Sequence, residues 1–240
     1  MSEVVICNLA LSHLGDTATV MSIRPPDSSV QAQLCARFYD VARNALLEMA
    51  NWGFATKRIQ LAQVVLPTYT DSDGNAVTGS WQYGYAVPAD IVNAAAVLPA
   101  EAMDDYEQHF GPWQSGTECL PSFPQGYVPI PGAVDYTPRP FSIESDQKGN
   151  SILLTNVSAA VLRYTGIVTD TTEFTPLFTL ALSYLLASML AGPIIKGDEG
   201  AAKAVAMMQM FGSFKGQASA SDANQRKIHV EPAVSWIRGR

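Results

Sequence analysis

Charge is what this sequence has least of. Only 15% of its 240 residues are charged while 48% are hydrophobic, against about a quarter charged in an ordinary soluble domain. A chain so short of charge hides surface in partners or meets a membrane. Cysteine is scarce too: Cys7, Cys35 and Cys119 are odd in number and far apart, with no C-x-x-C pair. That excludes a disulfide framework or a zinc knuckle and reads as buried reduced thiols. The three histidines, His13, His109 and His229, are too scattered to form a ligand set by spacing. G-x-S-x-G, H-E-x-x-H, G-x-x-x-x-G-K-[ST] and G-x-G-x-x-G are all missing, and "GSFKG" at 212–216 has its serine in the wrong place. Glu3 stands where a signal peptide would carry its basic region, so export by such a peptide is not expected.

What the chain does have is one long apolar run. Residues 174–195, "FTPLFTLALSYLLASMLAGPII", carry no charge over 22 positions, and about 20 apolar residues can cross a bilayer. Pro176 and the Gly192-Pro193 pair bracket it, which predicts a helix over 176–191. At 1.5 Å per residue such a helix reaches roughly 24 Å, short of a hydrocarbon core of about 30 Å. Thr175, Thr179, Ser183, Ala187 and Ala191 recur four apart and share one face, with Phe178, Leu182, Leu185, Leu186 and Met189 opposite. A bulky face and a small-residue face predict packing against protein on both sides and no membrane span.

Helices also open the chain. One is expected over 2–14, stopped by Gly15. A second follows Pro25-Pro26, with Ser28 and Gln31 at capping-box spacing. Val30, Leu34, Phe38, Val41, Ala45, Met49 and Trp52 form one apolar stripe on it, opposite Gln33, Arg37, Asp40, Arg43 and Asn44. From 53 to 172 the pattern turns strand-like: "WQYGYAV", "NAAAVL", "FSIES", "SILLT" and "AAVLRYTGIV" are punctuated by Gly, Pro and Asn. "DSDGNA" at 71–76 is turn chemistry, not a calcium loop, because its glycine comes too early. The fold class is therefore α+β: an antiparallel helical bundle (1–52 and 173–218) with an inserted antiparallel β subdomain (53–172). An extended C-terminal tail (219–240) begins with the polar linker "ASASDANQ", expected to be mobile.

Residues 99–140 hold eight of the fifteen prolines and read as an irregular excursion around one short acidic helix. On that helix Glu101, Asp105 and His109 fall four apart and share a face. They are the one set that suggests metal binding or acid–base hydrolysis of a cell-wall polymer or polysaccharide. Nothing apolar lies near enough in sequence to raise one carboxyl's pKa, so a solvated acidic helix is the stronger reading.

Charge placement bears on nucleic acid. Residues 53–172 contain twelve acidic and five basic side chains, net −7, which equals the formal charge of the whole chain. A surface built to grip phosphate is basic. Lys57 and Arg58 are therefore expected to satisfy carbonyls or pair with a nearby acid.

Taken in order, these residues resemble the tail tubular protein A, or head-to-tail adaptor (connector), family of tailed bacteriophages. An early A-L-x-x-L-G helix is matched at Ala10, Leu11, Leu14 and Gly15. A W-x-F-A-x-x-R-x-x-L corner is matched at Trp52, Phe54, Ala55, Arg58 and Leu61, and a Y-x-x-P-x-D element at Tyr85, Pro88 and Asp90. An I-E…I-L-T hairpin follows at Ile143, Glu144 and 153–155. R-Y…D…F-x-P-x-F-x-x-A-L is matched at Arg163, Tyr164, Asp170, Phe174, Pro176, Phe178, Ala181 and Leu182. The match covers most of residues 1–218. It departs at Asn93, where the family often has Arg, and in the longer 99–140 excursion.

The resemblance implies a homo-oligomeric ring, usually of twelve copies, between the portal protein and a tail tube or nozzle protein. DNA would pass through its channel without specific binding. The protein would be assembled in the host cytoplasm and located in the virion neck, with no catalytic step and no cofactor or metal. Trp52, Phe54 and Arg58 would be the structural corner. Thr175, Thr179, Ser183 and Ala187 would be the inter-subunit helix face, and Trp236, Ile237, Arg238 and Arg240 would dock on the portal. The alternatives are a tail-associated hydrolase and a non-viral, membrane-peripheral scaffold module.

Overall fold

Local signals place the helices. Ser2 Oγ accepts the Val5 N–H at 3.3 Å, and Gly15, at φ 82°, ends α1 (Glu3–Leu14) in the left-handed conformation that glycine adopts without strain. Helix α2 (Val30–Glu48) begins one residue later than expected. Ser29, not Ser28, is its cap and accepts the Ala32 N–H at 3.1 Å. Asp27 fixes that register by accepting both the backbone N–H and the hydroxyl of Ser29. Thr175 caps α3 (Pro176–Ile195), and α4 (Gly197–Ala223) follows directly, the chain reversing through Lys196 and Gly197 at φ near 60°. The computed structural model describes residues 2–66, 68–70, 73, 76–100, 106–108, 134–136, 139–146 and 148–225.

The protein is α+β with antiparallel sheets. A three-stranded sheet has the order β1 (Thr56–Gln60), β11 (Val161–Gly166), β6 (Ile91–Leu98). A four-stranded antiparallel sheet has the order β2 (Gln63–Val64), β5 (Tyr83–Ala86), β10 (Ser151–Thr155), β9 (Phe141–Ser145). Two hairpins complete the described part. In one, β3 (Thr68–Thr70) pairs with β4 (Ala76–Thr78), while residues 71, 72, 74 and 75 of the expected turn lie outside the described residues; in the other, β7 (Tyr106–Gln108) pairs with β8 (Val134–Tyr136).

Two units divide the chain. The first takes in the N-terminal part to Lys57, Ala89–Ala95, and the chain from Tyr164 through α4; the second takes in Arg58–Pro88 and Ala96–Arg163. The divisions fall inside β1, β6 and β11, where the sequence pattern set single boundaries at 52/53 and 172/173. In the first unit α3 is central and packs on α1, α2 and, most extensively, α4. Its Phe178, Leu182, Leu186 and Leu190 are fully buried with Ile6, Leu11, Tyr39 and Leu46. Gly200 lets α4 approach closely, since a β carbon there would lie 3.1 Å from the Ala191 carbonyl oxygen. In the second unit Tyr85, Leu153, Leu154 and Leu162 are buried.

Four expectations are corrected. Helix α3 does not stop at Gly192-Pro193 but runs to Ile195, because a proline so near the C-terminus removes only one helical hydrogen bond. At 20 residues α3 is long and apolar enough to cross a membrane by length and composition, and over half of its most apolar window is buried against the chain itself. Helix α2 buries Ala32, Cys35, Tyr39, Ala42, Leu46 and Leu47, while Val30, Val41 and Met49 of the expected stripe are exposed and Arg43 of the expected polar face is buried. The linker read at 218–225 is the last turn and end of α4, which continues to Ala223. The acidic helix around 101–109 is not formed at Tyr106–Gln108, which is strand β7 paired with β8. Glu101, Asp105 and His109 lie outside the described residues.

Cys7 and Cys35 are buried and reduced as expected, and their shared hydrogen bond, together with burial, pushes the Cys7 thiol far above its ordinary range. Cys119 lies outside the described residues.

Candidate functional site

The helix–strand corner "ANWGFATKR" gathers the residues that carry the resemblance. Trp52 is 1% exposed, and its indole N–H donates to the Leu46 carbonyl at 2.9 Å. That carbonyl belongs to the last turn of α2, where no helical donor remains to reach it, so the side chain finishes the helix. The indole stands edge-on to Phe178, centroids 5.0 Å apart at 85°. Phe54 meets the same Phe178 ring at 5.0 Å and Phe174 at 5.8 Å, and Phe174 lies 4.8 Å from Phe178. Tilted and edge-on rings at these distances are favourable beyond their buried area. Gly53 turns the chain into a short 3₁₀ segment, Gly53–Ala55, and donates its N–H to Asp222 Oδ2 at 2.8 Å. Asp222 thus holds the corner from the far end of α4. Sequence reasoning had set it in a mobile linker, and only its acidic type hinted otherwise.

Past the corner, Lys57 Nζ lies 2.7 Å from Asp90 Oδ2, while Tyr164 donates its hydroxyl to Asp90 Oδ1 at 3.0 Å. These bonds, that from Lys57 foremost, hold the Asp90 carboxyl below the usual carboxylate range. Gly166 leaves room for the pair, because a β carbon there would come within 2.9 Å of Lys57 Cδ. The acid expected for the basic pair is therefore found at Lys57. Arg58 is exposed on β1 and makes interactions of its own. In the second unit Tyr85 donates its hydroxyl to the Val157 carbonyl at 2.9 Å and receives the Ala160 N–H at 3.4 Å.

The row proposed to face a neighbouring subunit points inward instead. Thr179, Ser183 and Ala187 are buried within their own unit, and Thr175 caps α3 by accepting the Phe178 N–H at 3.3 Å. Thr179, Ser183 and Ala187 on α3 serve close packing inside the chain and are not open to a neighbouring subunit, while Thr175 is half-buried. Trp236, Ile237, Arg238 and Arg240 lie outside the described residues. Among the described residues no group of three or more His, Cys, Asp or Glu is placed to hold a metal ion.

Beside this row sits a titratable group the motifs did not single out. His13 stacks on Tyr184 (4.0 Å, 9°), which stacks in turn on Phe214 (5.1 Å, 5°). Its Nε2 is 3.1 Å from Ser183 Oγ, and that hydroxyl donates to the Leu180 carbonyl at 2.8 Å, so Nε2 is the donor to serine. Burial lowers the imidazole pKa from its ordinary 6.5. A folded pKa below the unfolded one means that the unfolded chain takes up the proton first as pH falls. The stabilisation is complete above the unfolded pKa and is lost on acidification through the folded one. Thermal melts are expected to drop between about pH 7 and pH 5, and His13→Phe, which retains the stack, is expected to flatten that drop. An equal slope in both proteins would assign it to other groups.

No protein-family model matches this chain, and no curated protein matches it either.

Proposed function

We propose that this chain is a virion structural protein, a head-to-tail adaptor that forms a ring between portal and tail and lines a channel for DNA ejection. The observation that carries this reading is the meeting of separate resembling stretches in one corner. Trp52 and Phe54 pack on Phe174 and Phe178, and Asp90 bonds Tyr164. Residues that recur for this reason set a frame and need no substrate. The finer architecture, a bundle carrying a β insertion and a docking tail, belongs to the same proposal. The scarcity of charge supports it as well, because each subunit of a ring covers two lateral faces.

The test is incubation with a tailed-phage portal protein, followed by native mass measurement and negative-stain imaging. Rings seated on the portal are expected. A chain that stays monomeric with portal present, or that turns over peptidoglycan or polysaccharide, overturns the reading.

A channel that DNA must slide through is expected to repel it, and the acid excess of 53–172 is of that sign. No binding to duplex DNA is expected at about 150 mM salt, where nonspecific binders still show Kd values of roughly 10⁻⁴ to 10⁻⁶ M. A micromolar, steeply salt-dependent affinity would defeat the channel role.

A further inference from the structure

We infer that the outer faces of α2 and α4 are the two halves of one contact between copies of this chain, α2 of one copy lying parallel beside α4 of the next. Helix α2 is apolar on two sides. One side is buried in its own unit; the other leaves Val30 66% and Val41 57% exposed, with Met49 exposed and Leu34 and Phe38 half-buried between them. On its outer face helix α4 presents Val205, 60% exposed, with Met208 also exposed. From Ala201 to Ala220 every exposed residue of α4 is uncharged, and its two lysines there, Lys203 and Lys215, are half-buried. Loss of charge from the centre of a surface marks interface cores.

Two glycines point the same way. Gly212 and Gly216 are exposed in the interior of α4, four residues apart, and nothing lies within 4 Å of the β carbon either would carry. Glycine weakens a helix relative to alanine, and among the described residues no neighbour requires it here. A second helix approaching closely does. With α2 and α4 parallel and Val41 level with Val205, Gly212 lies level with Glu48, at the C-terminal end of α2.

Charge order selects the partner and its direction. Along α2 the exposed charges run from basic to acidic, Arg37 then Glu48; along α4 the exposed acids Asp198 and Glu199 are followed towards its C-terminal end by the half-buried Lys215. Laid parallel, the two helices bring opposite signs together at both ends and set Val41 at the level of Val205. Antiparallel, they would juxtapose like signs. The two faces lie on different helices, so the contact is heterologous, and each copy keeps one face of each kind free for the next. A pairing over the length of α2, about 28 Å, is smaller than a standard interface of roughly 20–30 residues a side, so one contact alone is weak. Closure into the proposed ring is what this inference takes from that reading.

The test uses the full chain in a Cys119→Ser background, since Cys7 and Cys35 are buried. Chains carrying Val41→Cys and Val205→Cys are mixed at high concentration and oxidised with copper phenanthroline, and melting curves establish that each is folded. The mixture is expected to give at least tenfold more covalent dimer than either chain alone, and the double-cysteine chain a ladder. Arg37→Glu in the Val41→Cys chain is expected to cut the yield about tenfold, and Asp198→Lys in its partner to restore it. Equal yields from mixture and single chains, or yields indifferent to the charge reversals, overturn the inference. Portal-seated rings without the Val41–Val205 product sink this contact and leave the adaptor reading standing. The product formed by a chain that never joins a portal does the reverse.

Discussion

Trp52→Ala is expected to cost about 3–5 kcal/mol of folding stability, the range for removing a buried large aromatic. The indole is fully enclosed and stands edge-on to Phe178, so its loss leaves a cavity against a ring that cannot follow it. It also strips the Leu46 carbonyl of its only donor at the end of α2. Whole domains are stable by only about 5–15 kcal/mol, so the variant is expected to be partly unfolded at physiological temperature. Urea denaturation of wild type, Trp52→Ala and Trp52→Phe separates the two contributions. Phenylalanine retains much of the ring packing and loses the hydrogen bond, and about 1–3 kcal/mol is expected for it. A midpoint for the alanine variant within error of wild type would show that the corner is not held by this residue.

Ending the chain after Gln225 is expected to leave melting unchanged and to abolish attachment to portal-bearing heads. The described structure explains why the cut falls there. Helix α4 runs to Ala223, and Asp222 bonds the Gly53 N–H, so a truncation that removes Asp222 would damage the corner and confuse the result. The removed segment, "RKIHVEPAVSWIRGR", carries Ile228, Val230, Val234, Trp236 and Ile237 among four basic residues, with Pro232 forbidding a long helix. Apolar strips of this kind dock by strand addition or into a groove, and Trp and Arg are enriched at binding hot spots. Within the adaptor proposal, Trp236, Ile237, Arg238 and Arg240 are the portal contacts. If the shortened protein melts several degrees lower and still attaches, the segment is a strap on its own subunit and the docking assignment is withdrawn.

The strands were legible because their signals are local. Alternating apolar residues bounded by Gly, Pro and Asn identified β5, β6, β9, β10 and β11, and the Asp-Gly turn anticipated the β3–β4 hairpin. The corner was legible as well, since a tryptophan, a glycine and a phenylalanine between a helical and an extended pattern leave few alternatives. The candidate assembly face was not. A row of small residues four apart on α3 fits a neighbouring subunit or the chain's own α4 equally well, and spacing carries no information about which helix arrives. Tyr106–Gln108 shows the limit in another form: its acidic neighbours have helical spacing, and pairing with Val134–Tyr136 some 30 residues away makes it a strand.

Caps, turns, helix starts and the division into helical and strand-rich segments were determined by the sequence itself, because each depends on a few adjacent residues and their backbone preferences. Tertiary structure decided which face of α2 turns inward, since that helix is apolar on two sides and α1, α3 and Trp52 cover one of them. It decided that α4 continues to Ala223, where serines and an aspartate of weak helical preference alternate with alanines and the stretch is held by burial of Ala218 and by the Asp222–Gly53 bond. It also decided that Thr179, Ser183 and Ala187 of α3 are interior and that Val30 and Val41 of α2 and Val205, Met208, Gly212 and Gly216 of α4 are not. Burial is a property of the neighbours a residue acquires, and those neighbours come from distant parts of the chain.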